Sequence, residues 1–180
     1  PPRVAFVGAG GKTTALFQTA RELAPCIVTT TTHLGAWQTG EADQHIIIHK
    51  MEDVNQLEVI AFSGVILVTG AEEKNRLTAL KLEELHWLEQ FCNYHSLPLL
   101  IEADGARGKP LKAPKAHEPV IPDFVKTVVV VAGLSGIGKV LNEENVYNAE
   151  GYKLQVASCK SQEKNVTAEM LASVLTNSEG

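Results

Sequence analysis

The chain has no excess of basic residues, no paired cysteines and no long apolar run, and each lack removes a class of function. Sixteen Lys and Arg stand against twenty-one Asp and Glu, for a formal net charge of −5, which argues against a general nucleic-acid binder. No apolar stretch approaches the ~20 residues that span a bilayer, and no signal-peptide pattern opens the sequence. The three cysteines, Cys26, Cys92 and Cys159, are odd in number, far apart and without C-x-x-C spacing. They read as free thiols of a reducing cytosol rather than a disulfide framework, so a cytoplasmic protein is expected. Internal repeats, low-complexity segments and a guanine-reading N-K-x-D motif are also missing. The sequence opens Pro-Pro without methionine, and residues upstream are expected.

What remains is the composition of a globular domain: 180 residues, 44% hydrophobic and 21% charged, enough for one domain with a real core. Short apolar runs at 3–7, 26–30, 45–49, 65–69, 97–103 and 127–132 read as strands. Helical spacing appears at 12–24, ending at Pro25, and at 78–95 through Leu82, Leu85, Leu88 and Phe91. Residues 54–62 and 167–175 read as further helices, the second with Thr167 as N-cap. Strands alternating with helices, most apolar on both faces, predict an α/β fold with a largely parallel sheet covered by helices. The irregular stretch 104–126 is long for a compact domain, as functional loops often are.

Two glycine-lysine stretches compete as phosphate loops. "TVVVVAGLSGIGKV" satisfies G-x-x-x-x-G-K with Gly133, Gly138 and Lys139, but Val140 follows where a metal-binding hydroxyl belongs. "RVAFVGAGGKTTALF" lacks the leading glycine, having Phe6 there, yet Lys12 is followed by Thr13 and Thr14 and by a good amphipathic helix. Strand, glycine turn and helix start are the context a phosphate loop needs, because backbone N–H groups and the helix dipole converge there. Gly8, Ala9, Gly10, Gly11, Lys12, Thr13 and Thr14 are therefore the candidate nucleotide-binding residues. Mg²⁺ with ATP or GTP is the expected cofactor.

The acidic partner is sought in "LPLLIEADGARG". Glu102 and Asp104 are two apart, so in extended chain they share a face at the carboxyl end of a strand. Asp104, with Thr13, is assigned to the Mg²⁺ shell. Glu102 reads either as a base for water or a substrate hydroxyl, or as a buried structural acid. "TTTTH", residues 29–33, places threonine hydroxyls such as that of Thr32 for the γ-phosphate or the metal and His33 for proton transfer, although a threonine run is also ordinary strand sequence. Arg107 is placed to stabilise transferring phosphoryl charge. With Lys109, Lys112, Lys115 and His117 it makes the loop basic, which suits either an anionic ligand or a solvated surface. His45 and His49, some 13 Å apart on a strand, cannot share an ion. Trp37, Trp87 and Phe91 read as core or interface residues.

In the same order, "VAFVGAGGKTTALF", "VTTTTHL", "LIEADGARGKPLKAPKAHEPVIP" and "VVAGLSGIGKVLNEENV" resemble the motifs of the YqeC family, proteins described as accessory to selenium-dependent molybdenum hydroxylases. The resemblance spans residues 4–146. It implies a P-loop NTPase-like three-layer fold and a cytoplasmic role in maturing a molybdenum hydroxylase or its selenium-containing cofactor. Its partners would be that enzyme or proteins handling its cofactor, with no nucleic acid and no membrane. Residues 1–180 would form a single nucleotide-binding domain lacking a C-terminal piece. The expected activity is slow nucleoside triphosphate hydrolysis. The rivals are a small-molecule kinase, whose basic loop holds the acceptor, and a non-catalytic nucleotide-controlled switch.

Overall fold

A computed structural model describes residues 1–157 and 164–176. Eleven strands, β1 (Arg3–Ala9), β2 (Cys26–Thr30), β3 (His33–Gly35), β4 (Gln44–Ile47), β5 (Val65–Thr69), β6 (Glu72–Glu73), β7 (Arg76–Thr78), β8 (Leu99–Glu102), β9 (Leu111–Lys112), β10 (Thr127–Ala132) and β11 (Val146–Tyr147), occur among these residues. The α-helices among them are α1 (Lys12–Glu22), α2 (Leu82–Tyr94), α3 (Ala149–Gln155) and α4 (Ala168–Leu175). The fold is α/β, with a mostly parallel six-stranded sheet in the order β10-β1-β8-β2-β5-β4, flanked by helices. β2, β5 and β8 are buried along their whole length, as expected of strands apolar on both faces.

The chain packs as two compact units. The first comprises Pro1–Phe6, Thr13–Ala103 and Ile121–Val129, and the second Val7–Lys12, Asp104–Val120 and Val130–Gly180. In the first, the register pairs Phe6 with Glu102 and Thr30 with Glu102, so β8 lies between β1 and β2 with its acid at the carboxyl ends of β8 and β2. α1 buries Leu16, Phe17 and Ala20 and α2 buries Leu85, Leu88, Phe91 and Cys92, whereas Leu82 is exposed. In the second unit, β9 pairs in parallel with β11. Around that ladder Leu111, Ala113, Val146, Tyr152, Met170 and Leu171 form the core.

Several expected boundaries move for local reasons. The 78–95 helix starts at Leu82, because the Glu84 carboxylate accepts the Lys81 N–H at 2.8 Å and fixes the first turn there. Thr78 instead ends β7, in a three-stranded antiparallel sheet of β3, β7 and β6. The helix expected at 54–62 is a 3₁₀ helix over Met51–Glu58, begun earlier where Asp53 accepts the N–H groups of His49 and Lys50. β4 ends at Ile47, leaving His49 outside it. Trp37 is 78% exposed rather than core, while Trp87 stacks on the buried Phe91 at 5.0 Å. Thr167 caps α4 as expected, its hydroxyl accepting from Met170 N–H. Cys26 and Cys92 are free and buried, and burial pushes their thiols up to about 11 and about 12. Cys159 lies outside the described residues.

Candidate functional site

β1 turns out of the sheet through residues whose backbone only glycine adopts easily. Gly8 has φ +99°, Gly10 +73° and Gly11 +129°, all in the region L side chains avoid. Space is equally tight. A Cβ on Gly8 would stand 2.2 Å from the Val131 carbonyl oxygen, and one on Gly10 2.6 Å from both Gly133 Cα and the Pro110 oxygen. The leading glycine of the second stretch is thus packed backbone to backbone against the first loop. No helix follows that second stretch. Residues 134–136 form a 3₁₀ turn, Lys139 is exposed, and Val140 bridges to Asn165.

Within the second unit the loop closes on a buried acid. Asp104, 2% exposed, accepts the Gly8 N–H through Oδ2 at 2.9 Å. Its Oδ1, buried without a hydrogen-bond donor, faces the Lys12 ammonium as an ion pair at 3.2 Å. Lys12, the first residue of α1, also donates to the Gly8 carbonyl at 2.9 Å. A second ammonium, Lys112, lies 3.1 Å from Asp104 Oδ2. Lys112 pairs in addition with Glu118 at 2.9 Å and donates to the Gly105 carbonyl at 2.9 Å. Tyr147 completes the group, donating to Glu118 Oε1 at 2.8 Å, with Lys112 4.8 Å from its ring centroid. Burial opposes ionisation of Glu118, yet the hydrogen bonds from Lys112 and Tyr147 outweigh it and hold its carboxyl below the usual carboxylate range. Burial and the bond to Glu118 raise the Tyr147 phenol.

Within the first unit a second cluster forms around Glu102, 6% exposed. The Thr13 hydroxyl donates to Glu102 Oε2 at 2.7 Å. The Glu102 carbonyl accepts from Thr30 Oγ1 and from Thr31 N–H, each at 3.0 Å. Thr32 N–H donates in turn to Thr30 Oγ1 at 3.0 Å. Thr29 and Thr30 are buried in β2, so in the threonine run only Thr31, Thr32 and His33 reach solvent. His33 is exposed on β3, and Thr14 is exposed on α1. The chain itself links the two clusters, since Thr13 follows Lys12 and only Ala103 separates Glu102 from Asp104.

The basic loop divides into inner and outer cations. Lys112 is buried, and Lys109 pairs with Glu143 at 3.3 Å. Arg107, in a left-handed turn at φ +52°, Lys115 and His117 are exposed. Arg107 and Lys115 lie 5.8 and 5.4 Å from the Tyr147 ring centroid. Sequence reasoning placed Lys112 with the loop's general positive charge and passed over Glu118 and Tyr147. A lone lysine between apolar neighbours in "PLKAP", with an acid following in the same loop, was the available signal. Among the described residues no three His, Cys, Asp or Glu side chains are grouped to hold a metal by themselves.

Comparison with known sequences gives two findings. Residues 4–150 match the family described as YqeC protein. Over 156 residues the chain is 32% identical to the protein named "Uncharacterized protein YqeC" of Escherichia coli strain K12, a match covering 82% of this chain and 57% of that relative. The chain therefore spans a little over half the length of the curated relative it matches. No solved structure matches it.

Proposed function

The chain belongs to the YqeC family, and from that premise we propose that it is a Mg²⁺-dependent nucleotide-binding protein that hydrolyses ATP or GTP. The observation that carries this reading is the Lys12 ammonium, held on the buried Asp104 carboxylate at the mouth of a glycine turn that opens a helix. Residues 8–12 would wrap the phosphates with backbone N–H groups, and Lys12 would exchange Asp104 for phosphate oxygens.

The donor set suits Mg²⁺. It takes one or two protein oxygens and completes its shell with water and substrate phosphate, and Thr13 with Glu102 or Asp104 supplies such oxygens. Bound there, the ion would neutralise charge on the transferring phosphoryl group. In this reading Thr32 and His33 sense the γ-phosphate, and Arg107 meets the charge that develops on transfer. Glu102, already hydrogen-bonded to Thr13, fits orientation of that hydroxyl better than a free base. The partner proposed from the family resemblance is a molybdenum hydroxylase or the proteins that handle its cofactor, in the cytoplasm. The described residues contain no helix long and apolar enough to cross a membrane.

Arg107 and Lys115, exposed beside one aromatic ring, favour a second reading, a small-molecule kinase whose acceptor is anionic. Product analysis with Mg²⁺ and each nucleotide separates the readings. Free phosphate supports hydrolysis, a phosphorylated small molecule supports the kinase, and binding without turnover supports a switch. Asp104→Asn tests the assignment within the site. It should lower metal-dependent turnover at least tenfold while nucleotide affinity is kept. Equal loss of both, or of neither, would remove Asp104 from the metal side of the reaction.

A further inference from the structure

We propose that Lys112 is a positioning residue that releases Lys12 for phosphate by taking over the charge of Asp104. The proposal rests on reading residues 8–12 as the phosphate loop. Two ammonium groups meet one carboxylate: Lys12 at 3.2 Å on Oδ1 and Lys112 at 3.1 Å on Oδ2. They are not equivalent. Lys12 sits at the glycine turn, where a phosphate would arrive. The Lys112 side chain is 2% exposed and is surrounded by Asp104, Glu118 and the Gly105 carbonyl. Those three acceptors match the three N–H bonds of an ammonium, so its orientation is fixed. Tyr147 fixes Glu118 in turn through its hydroxyl.

The reason for a buried lysine at this point follows from charge. A carboxylate stripped of its partner inside a protein is costly, and it holds whatever cation remains. With Lys112 in place, Asp104 keeps an ammonium and the Gly8 N–H after Lys12 has turned to a phosphate. Without Lys112, Lys12 is the nearest cation left to Asp104, and the acid becomes an internal competitor of the incoming anion. Lys112 thus acts on affinity through Asp104, without touching the ligand. A purely structural lysine would act through stability alone.

The test is titration of inorganic tripolyphosphate and of ATP, without Mg²⁺, against the wild type, Lys112→Met, Lys112→Arg, Asp104→Asn and the Lys112→Met/Asp104→Asn double variant. Circular dichroism checks that each is folded. Lys112→Met should weaken binding at least tenfold, and Lys112→Arg should restore most of the loss. Asp104→Asn alone should bind as well as the wild type or severalfold more tightly, and the double variant should recover what Lys112→Met lost. If Lys112→Met does not fold, Lys112→Gln, which keeps polar contact with the same acceptors but removes the charge, should weaken binding in the same direction. Unchanged affinity in Lys112→Met, or in Lys112→Gln where that variant takes its place, would overturn the role of Lys112. So would a folded double variant no better than the Lys112→Met single, and either result would leave the phosphate loop standing. Absence of binding in the wild type, with ATP and Mg²⁺ as well as with tripolyphosphate, would overturn the loop reading and this proposal together.

Discussion

Lys12 and Lys139 each follow a glycine, yet their surroundings ask different things of them. Lys12 is 6% exposed and paired with a buried acid at the start of a helix. Lys139 is exposed in a turn whose carbonyl accepts from Val166 N–H, and the next helix starts only at Ala149. Lys12→Ala should therefore lower triphosphate affinity at least tenfold, about 1.4 kcal/mol, while Lys139→Ala should stay within a few-fold. Titrating one labelled nucleotide against both variants decides between them, and the reverse order would mean the wrong stretch was chosen. Gly10→Ala tests the loop backbone. Its methyl would need positive φ and would press on Gly133 and Pro110, so a loss of at least about 2 kcal/mol in denaturant unfolding is expected. At this scale the glycine turn and the helix start at Lys12 were legible because that pattern is local. The burial of Lys112 was not, since it depends on Glu118 and Tyr147 meeting it through a fold that no local pattern displays.

Among the elements, the buried strands β2 and β5 and the largely exposed β10 coincide with their apolar runs, because a run of β-branched residues has little alternative. The β6–β7 hairpin was hidden by its turn. Lys74 and Asn75 take φ +50° and +61°, the geometry of a tight primed turn, without the glycine that usually announces one. α3 was missed for want of a sustained apolar face. The stretch 104–126 read as irregular, yet it contains β9 and is tied down by Glu118, which bonds Lys112 and Tyr147. That tie has a pH dependence of known sign. The Glu118 carboxyl lies below its ordinary 4.5 when folded, so the unfolded chain binds the proton more readily. Its contribution is complete above the unfolded value and is lost as pH falls through the folded one. Glu118→Gln should be less stable than the wild type at pH 7, and the gap should narrow as pH falls below 4.5, followed by urea unfolding across that range. A gap that stays constant with pH would show that the carboxylate charge contributes nothing to the loop.

For the molecule as a whole, a mostly parallel sheet with β8 between β1 and β2 places Glu102 and the threonine run at strand carboxyl ends, where open α/β sheets hold ligands. A ligand held by residues assembled from such distant parts of the chain cannot bind the unfolded form comparably. Nucleotide should therefore raise the melting temperature by mass action. At a hundred times its Kd, one ligand adds about 2.7 kcal/mol. For a chain of this size each kcal/mol moves the midpoint by about 2–4 °C, so a rise of about 5–10 °C is expected. The rise should grow with nucleotide concentration without saturating at stoichiometry, because it follows free ligand rather than occupancy alone. Mg²⁺ should enlarge it for triphosphates, and Lys12→Ala should remove most of it while leaving the ligand-free midpoint to report any loss of the Asp104 ion pair. ATP, GTP and their diphosphates at millimolar concentration, each with and without Mg²⁺, form the panel. No shift with any of them would leave the glycine loop without a nucleotide and the proposed activity without its substrate.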